Sequence, residues 1–307
     1  MNVFVTGGSG FVGQSVIDRL VAVGHEVVAL KSHRPINDRG GKVRTVEASL
    51  FDVEALTRAM TGCEATIHLV GIISQNLSKG VTFERMHVEA TRAVVSACEI
   101  AKVRRYVHMS ALGARPDAPA EYHRTKARAE AIVRQSHLDW TILRPSMIHG
   151  PRGDFTKMLV GWARKQKAPW LFMPYFGRGI LGFGGAGKLQ PIFVEDVATA
   201  FVRALDRPQT IHNTYDLAGS DVVTWPQLYD IAARVIVGKR RAVWPIPAWY
   251  GRVLTSIVPE KGLMGVNRDQ VEMSQEDNTA DIAAFRRDFE IEPQGFERSF
   301  RGYAEQV

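Results

Sequence analysis

Length, composition and charge narrow the class of protein. The chain has 307 residues, of which 45% are hydrophobic and 23% are charged. It is therefore neither disordered nor fibrous, and it is long enough for one large or two modest globular domains. Lys and Arg number 39 against 32 Asp and Glu, a formal net charge of +7. This mild excess suits anionic small molecules or an acidic surface, and it is too small to indicate nucleic-acid binding.

Cysteine content and hydropathy indicate in which cellular compartment the protein is expected. Only Cys63 and Cys98 occur, which excludes a disulfide framework and a four-thiolate zinc site. The nine histidines lack the paired spacing of zinc ligands, so we expect no metal. No run of about 18 uncharged apolar residues is present, and no basic leader precedes the first apolar run. We therefore expect a soluble, cytoplasmic protein.

The first half of the chain alternates short apolar runs with helical patterns. The runs are typical of buried parallel strands and lie at residues 3–5, 26–30, 43–47, 65–70, 105–109 and 140–143. Apolar residues recur at helical spacing over residues 12–23, 53–60, 83–101 and 122–135. This βαβ succession predicts an α/β fold with a Rossmann-type, doubly wound parallel sheet.

The alternation ends after Pro145, and a smaller, mixed C-terminal lobe is expected beyond it. Residues 191–205 resemble one more strand and helix. We therefore assign residues 1–152 to the sheet domain, to which residues 189–218 return. The smaller lobe, which would bind a substrate or a partner, comprises residues 153–188 and 219–307.

A glycine-rich loop at residues 6–13 follows the first strand and opens the first helix. Gly7, Gly10 and Gly13 have the G-x-x-G-x-x-G spacing of dinucleotide-binding loops. The first glycines allow a tight turn and a close approach to a pyrophosphate, and Gly13 lets helix and strand pack closely. The helix N-terminus would offer its free N–H groups to the phosphates. This context predicts that residues 1–152 bind NAD(P).

The end of the second strand indicates which dinucleotide is bound. Domains that prefer NAD(H) place Asp or Glu there, against the ribose diol. This chain has no acid at residues 31–34 and carries Lys31 and Arg34, which could pair with a 2′-phosphate. We therefore expect NADP(H) to be preferred, with NAD(H) as the alternative. The competing interpretation is a solvated basic loop.

Tyr122 and Lys126 form a Y-x-x-x-K pair within a helical pattern. The i, i+4 spacing puts both side chains on one face of the helix. A nearby ammonium favours the phenolate, which would make Tyr122 a usable acid or base near neutral pH. The same lysine could hold ribose hydroxyls.

The glycine loop and the Tyr122–Lys126 pair together resemble the short-chain dehydrogenase/reductase superfamily, in its extended or atypical branch. Further stretches are similar to the nucleotide-binding accessory subunit of respiratory complex I (alpha-subcomplex subunit 9) and its bacterial relatives. They lie at residues 69–72, 86–88, 107–114, 143–146, 190–197, 267–271 and 276–278. The resemblance covers nearly the whole chain, and the C-terminal motif is the discriminating part. It implies firm NADPH binding, in a group of which many members are not known to turn over a substrate.

The resemblance also implies the site residues. The catalytic set is Tyr122, Lys126 and Ser110. The cofactor-binding set is Gly7, Ser9, Gly10, Phe11, Val12, Lys31, Arg34, Ser49, Leu50, Leu69, Val70, Gly71, His87, Ser110, Tyr122, Lys126, Pro145, Ser146, Met147 and Ile148. For His87 the alternative is a helix histidine bonded to a backbone group.

Two departures from the family pattern concern catalysis and adenine binding. Active members of the extended branch carry Ser or Thr just after the fifth strand, where this chain has Ala111, with Ser110 one residue earlier. The adenine-side Asp after the third strand is replaced by Ser49. Both changes leave cofactor binding intact and put catalysis in doubt.

The smaller lobe carries a basic, aromatic stretch. Residues 155–188 contain six Lys and Arg and no acidic residue, with the aromatic run 170–176 inside them and a second apolar stretch at 245–254. Lys and Arg beside exposed aromatics suit an anionic membrane surface. The alternative is that the aromatics fill the core of the lobe while the charges are solvated or face an anionic substrate.

Three functions follow from these features. The first is an NADP(H)-binding protein similar to the complex I subunit, with a structural or regulatory cofactor and with respiratory complex I as its partner. The second is a working NADP-dependent reductase, epimerase or dehydratase on a carbonyl or sugar-nucleotide substrate. The third is a factor peripheral to the inner membrane that acts in assembly or in quinone biosynthesis. Ala111 favours the first function, and the intact Tyr122–Lys126 pair favours the second.

Overall fold

The computed structural model describes residues 1–31, 34–257 and 266–307. Its strands are β1 (Asn2–Thr6), β2 (Glu26–Leu30), β3 (Val43–Val46), β4 (Ala65–His68), β5 (Arg105–Met109), β6 (Asp139–Pro145), β7 (Ile148–His149), β8 (Met173–Gly177), β9 (Ile192–Phe193), β10 (Asn213–Leu217) and β11 (Val243–Pro247). Seven strands form one parallel sheet in the order β10-β6-β5-β4-β1-β2-β3. The doubly wound, Rossmann-type fold predicted from the βαβ pattern is confirmed.

Helices cover both faces of this sheet and build the rest of the chain. They are α1 (Phe11–Ala22), α2 (Val53–Ala59), α3 (Ala90–Ala101), α4 (Glu121–Gln135), α5 (Asp154–Ala163), α6 (Val194–Leu205), α7 (Trp225–Val237), α8 (Ala248–Ile257), α9 (Arg268–Met273), α10 (Ala283–Phe289) and α11 (Phe296–Tyr303). A π-helical segment, Glu84–Glu89, leads directly into α3. None of the described helices is long and apolar enough to cross a membrane.

Alternation along the buried strands sends side chains into two separate cores. Val3 and Val5 of β1 pack with α1 and α6 on one face, whereas Phe4 packs with α2 and α3 on the other. Both faces of the central strands are therefore apolar. For this reason, these strands form continuous hydrophobic runs in the sequence.

The sheet differs from the sequence prediction at one edge. The strand expected near residue 192 is the two-residue β9, which pairs with β7 outside the main sheet. The seventh strand is β10, which the sequence pattern did not reveal. This edge strand buries only Tyr215 and Leu217, and its other positions are polar, so it lacks the apolar run of a central strand.

A third apolar core lies outside the sheet. It joins Leu159 and Trp162 of α5, Met173 of β8, Tyr229 of α7 and Phe300 of α11. Strands β8 and β11 form a separate parallel pair next to it. The boundaries of the smaller lobe given above remain a prediction.

A buried ion pair fixes α4 against β6. Glu130 is fully buried and accepts from both Nε and Nη2 of Arg144, each at 2.6 Å. Arg134, one turn further along α4, donates to the same carboxylate at 2.7 Å. Burial alone would raise the pKa of Glu130, but the hydrogen bonds and charge of Arg144 lower it overall.

We expect Arg144→Met to destabilise the protein by about 3–5 kcal/mol, because it leaves the Glu130 carboxylate buried without its bidentate partner. Urea unfolding measures this loss. The control is Arg301→Met, which breaks the exposed Arg301–Glu297 pair on α11 and should cost about 0.5 kcal/mol or less. Equal losses in the two variants would contradict the assignment.

The same pair predicts a pH dependence. The folded-state pKa of Glu130 is lowered, so its stabilisation is present above the unfolded-state pKa and is lost as the pH falls through the folded-state value. The stability difference between the unmodified protein and Glu130→Gln should therefore narrow in acid. Unfolding curves over a series of acidic pH values test this, and a difference that widened in acid would count against it.

Candidate functional site

The glycine loop makes a tight, closely packed turn between β1 and α1. Gly7 has φ +74°, a left-handed conformation that favours glycine, and its carbonyl accepts from the Gly10 N–H at 3.0 Å. A Cβ on Gly13 would lie 2.2 Å from the Gly7 carbonyl oxygen, and one on Gly7 would lie 2.9 Å from the backbone of Leu69. The loop therefore needs glycine at both positions, as the sequence spacing indicates.

The start of α1 suits an anionic ligand. Gly10 is its N-cap residue and supplies no side-chain cap, and the first turn carries no acidic residue. The N-terminal amides can therefore donate hydrogen bonds to a pyrophosphate, and the helix dipole favours its negative charge. Phe11 packs against the turn at Gly150 and Gly153, which fixes the entry of the helix. Ser9 and Val12 are buried beside it.

The residues beyond β2 and β3 are solvent-exposed. Lys31 forms an ion pair with Glu47, a residue that the sequence reasoning did not consider. Arg34 is also exposed, and residues 32 and 33 lie outside the described part of the chain. Ser49 accepts from the Phe51 N–H at 3.3 Å, so it supports the turn that leads to α2, and Leu50 packs at the edge of the second core.

Lys126 lies almost fully buried where β4 and β5 end. Its Nζ donates to the Met109 carbonyl at 3.0 Å and to the Val70 carbonyl at 3.5 Å. A Cβ on Gly71 would lie 2.8 Å from Nζ, so glycine there leaves room for the ammonium. Burial lowers the pKa of Lys126 to about 8, against a smaller opposing effect of Glu130.

Tyr122 differs from expectation in its protonation. The sequence predicts that Lys126 favours the phenolate, but burial raises the pKa of Tyr122 to about 12. The reason is geometric, because the Lys126 ammonium is turned toward strand-end carbonyls. The Tyr122 ring packs edge-on against Phe83 and His87, with centroid distances of 5.8 and 5.4 Å. The phenol is therefore protonated at neutral pH and can donate a hydrogen bond or a proton.

His87 adopts the backbone-bonded alternative. Its Nδ1 lies 2.8 Å from Thr125 Oγ1, and its Nε2 lies 3.1 Å from the Ile72 N–H. The Thr125 hydroxyl donates to helix carbonyls, so it can accept from Nδ1–H. Nε2 also lies 3.1 Å from the Ile72 carbonyl oxygen. Burial and the charge of Lys126 lower the pKa of His87 to about 2. This neutral histidine ties the loop after β4 to α4.

Ser110 is buried beside Glu130. Burial raises the pKa of that carboxyl, and the Ser110 hydroxyl lowers it, after the larger lowering by Arg144. Ala111, at the position where active relatives carry a hydroxyl, is buried and apolar. The described residues therefore provide the Tyr122–Lys126 pair with no hydroxyl at position 111.

The turn from Pro145 to Ile148 is held by contacts with residues that are distant in the sequence. Ser146 Oγ donates to the Gln190 carbonyl at 2.6 Å, and the Met147 N–H donates to Asn278 Oδ1 at 2.9 Å. Ile148 pairs with Ile192.

The C-terminal motif, whose role the sequence did not reveal, lies on the same edge of the sheet. Asp269 Oδ1 accepts from the Tyr122 N–H at 3.3 Å, and Asn267 Nδ2 donates to the Ile73 carbonyl at 2.8 Å. Glu276 forms an ion pair with Arg115, and its other oxygen lies 3.8 Å from His123 Nδ1. Residues 267–278 therefore join the loops after β4, β5 and β6 to the start of α4. The contacts that place them there join residues 131 to 194 positions apart in the sequence.

Within the described ranges, no three or more His, Cys, Asp and Glu residues gather as a metal site would require.

Comparison with known proteins adds to this geometry. A family model described as NAD(P)H-binding matches residues 7–164. The chain is homologous to NADH dehydrogenase [ubiquinone] 1 alpha subcomplex subunit 9 of Dictyostelium discoideum, with 24% identity over 91% of this chain and 77% of that protein. The Arabidopsis thaliana protein of the same name is 30% identical over 74% of this chain, which spans 56% of it.

The fold also matches solved structures. A UDP-glucose 4-epimerase from Thermotoga maritima superposes with a TM-score of 0.75 at 18% identity, covering 100% of this chain and 98% of the epimerase. The predicted resemblance to the short-chain dehydrogenase/reductase group and to the complex I subunit is confirmed.

We expect Gly13→Ala to destabilise the protein by about 1–3 kcal/mol and to abolish dinucleotide binding, because the new methyl group would overlap the Gly7 carbonyl. Thermal unfolding and NADPH titration measure the two effects. The matched control is Gly302→Ala in α11, whose Cβ meets nothing within 4 Å and which should be neutral or slightly stabilising. Unchanged NADPH affinity in Gly13→Ala would refute this assignment.

Proposed function

This chain belongs to the NAD(P)H-binding family, and on that premise we propose that it holds NADP(H) as a structural or regulatory cofactor. The observation that carries the proposal is the glycine loop, in which Gly7 and Gly13 bring backbone and helix N-terminus together. Leu69, Val70 and Gly71 follow β4 beside it and would line the middle of the dinucleotide. Mass spectrometry and absorbance of the purified protein test for the retained nucleotide.

The preference for NADP(H) over NAD(H) rests on charge beyond β2. Lys31 and Arg34 are exposed there, and no acid stands among residues 31–34 to repel a 2′-phosphate. Lys31 pairs with Glu47, an ion pair in water that stabilises the protein only weakly and that a phosphate can replace. A 2′-phosphate would thus meet two basic side chains once it has replaced Glu47 as the partner of Lys31.

The chemistry of the residues around the nicotinamide end favours binding over turnover. Bound NADP(H) supplies a hydride donor or acceptor. Lys126 would hold ribose hydroxyls, and Tyr122 would donate to a substrate oxygen from its protonated form. Ala111 provides no hydroxyl to bind that oxygen as a second donor, and the Ser110 hydroxyl one residue earlier is buried beside Glu130.

A second candidate function is reduction, epimerisation or dehydration of a carbonyl or sugar-nucleotide substrate. The intact Tyr122–Lys126 pair on one face of α4 favours it.

The proposed partner is respiratory complex I, because the relatives are named as subunits of a ubiquinone-reducing NADH dehydrogenase. We propose a cytoplasmic location at the inner membrane for such an association.

We expect the unmodified protein to bind NADPH at least about tenfold more tightly than NADH, a difference of ~1.4 kcal/mol. Lys31→Asp/Arg34→Ala should remove that difference, since both cations would be lost. Titrations of both dinucleotides at fixed ionic strength measure it, and added salt should weaken NADPH binding more than NADH binding. If the unmodified protein binds NADH with an affinity equal to or higher than that for NADPH, the proposed preference is wrong.

We expect Lys126→Ala to weaken NADPH binding by about 1.5–3 kcal/mol through lost ribose hydrogen bonds, and Tyr122→Phe to leave it unchanged. Because the pKa of Lys126 is lowered to about 8, NADPH affinity of the unmodified protein should fall as the pH rises through that value. Lys126→Ala should lack this dependence. Titration calorimetry over that pH range tests both statements.

Slow or absent turnover on generic carbonyl compounds is the expected result for all three proteins. A robust reduction or epimerisation that Tyr122→Phe abolishes would overturn the structural role in favour of the second function.

A further inference from the structure

A cluster of exposed apolar side chains lies beyond β8 and on β11. We define the apolar tip as Ile180, Leu181, Phe183, Trp244 and Trp249, whose side chains are between 50% and 82% exposed. Single exposed apolar residues are ordinary on any protein surface, but a contiguous group of this size marks an interaction site.

Two contacts link members of the apolar tip across different elements. Trp249 Nε1 donates to the Ile180 carbonyl at 3.0 Å, which joins the start of α8 to the loop after β8. The rings of Phe183 and Trp244 meet edge-on at 5.7 Å between centroids. The tip is thus one surface built from three elements.

The loop that carries the tip is packed in place. A Cβ on Gly177 would lie 1.7 Å from the Gly182 carbonyl oxygen, and one on Gly182 would lie 3.1 Å from Pro247 N. The loop therefore lies directly on the β8–β11 pair, and the Gly184 N–H donates to the Arg178 carbonyl at 2.9 Å. Ile180, Leu181 and Phe183 point outward from a preformed loop.

The other end of β8 carries unpaired positive charge beside more exposed apolar residues. Trp170 and Leu171 are over half exposed, and Lys165 and Lys167 on the same loop are exposed, with no ion-pair partner among the described residues. This basic loop is joined to β11 by the Met173 N–H, which donates to the Ala242 carbonyl at 2.8 Å. β8 is roughly 16 Å long for its five residues. Trp244 pairs with Pro174 at the start of β8, so the apolar tip reaches back toward the basic loop.

Charge complementarity decides between a bilayer and a protein as the occupant. Residues 155–188 carry six cations and no anion, so an anionic surface is favoured. Lys is depleted at protein–protein interfaces, whereas Lys beside Trp, Phe and Leu is typical of proteins that lie at the membrane interface.

We propose that the apolar tip and the basic loop form a docking surface for a bilayer that contains anionic phospholipid. The tip inserts at the boundary between headgroups and acyl chains, while Lys165 and Lys167 bind the anionic headgroups. Membrane attachment is peripheral and does not depend on the dinucleotide site, which lies at the ends of β1 and β4.

The experiment is flotation of the full chain with vesicles of phosphatidylcholine alone and of phosphatidylcholine mixed with phosphatidylglycerol. Binding is expected only to the mixed vesicles and only at low salt. Tryptophan emission should shift to shorter wavelength on binding, and lipids brominated in their acyl chains should quench it, because Trp244 and Trp249 enter the interface.

Two variants test the two halves of the surface. Ile180→Ser/Leu181→Ser/Phe183→Ser removes the apolar loop, and Lys165→Glu/Lys167→Glu reverses the charges. Each should lower the vesicle partition coefficient at least about tenfold. The matched controls are Leu77→Ser/Ile100→Ser and Lys79→Glu/Arg92→Glu, exposed residues of the sheet domain, which should bind vesicles like the unmodified protein. NADPH titration and thermal unfolding verify that every variant is folded.

Several results would overturn the proposal. One is an unmodified protein that stays in the soluble fraction with mixed vesicles at low salt. Another is a tip variant that binds as well as its control. Equal binding to neutral vesicles would refute the role of the lysines. If sedimentation reveals a dimer that only the tip variant loses, without vesicle binding, then the surface joins two copies of the chain.

Discussion

Burial of two opposite charges on one face of α4 constrains the whole candidate site. Lys126 and Glu130 are one helical turn apart and almost fully buried, and a buried charge is tolerated only with close partners. Carbonyls at the ends of β4 and β5 receive the ammonium, while Arg144 of β6 holds the carboxylate. These two contacts therefore fix both the rotation of α4 about its axis and its distance from the sheet. Tyr122 lies one turn before Lys126 on the same helix, so its position relative to the strands is fixed by the same two contacts.

The predictable part of the molecule is the part governed by local pattern. Apolar runs located β1, β2, β4, β5 and β6, because a strand buried on both faces must be apolar throughout. The edge strand β3 was also predicted, although it exposes Arg44 and Thr45. The glycine loop was equally predictable, since its close contacts at Gly7 and Gly13 permit no side chain. An edge strand obeys no such rule. Half of β10 faces away from the core, so its polar positions concealed it.

Electrostatics could not be predicted from spacing. The Y-x-x-x-K pattern correctly indicates that Tyr122 and Lys126 share a face of α4, but it does not state where the ammonium points. In the structure the ammonium binds carbonyls of Val70 and Met109, and burial then dominates the pKa of Tyr122. Ser110 is a similar case, because its neighbour Glu130 could be identified only from the packing of α4 on the sheet.

Long-range contacts account for the remaining unpredicted features. The segment at residues 267–278 approaches the site through Asp269 at the N-terminus of α4 and through Glu276 at Arg115. A sequence motif marks this segment without revealing what it touches. It joins the loops after three strands to α4, and this tie depends on contacts between residues far apart in the sequence.

The buried ammonium of Lys126 also explains how a bound cofactor could stabilise the fold. Lys126 has three N–H donors, and among the described residues two carbonyls accept from it, at 3.0 and 3.5 Å. Burial lowers its pKa to about 8, which indicates that the charged form is incompletely stabilised by the protein alone. A ribose hydroxyl would supply a further acceptor and thereby stabilise the charged lysine. A ligand that binds only the folded state adds about 2.7 kcal/mol of stability at one hundred times its dissociation constant. A dinucleotide can therefore act as part of the fold, whether or not Tyr122 ever transfers a proton.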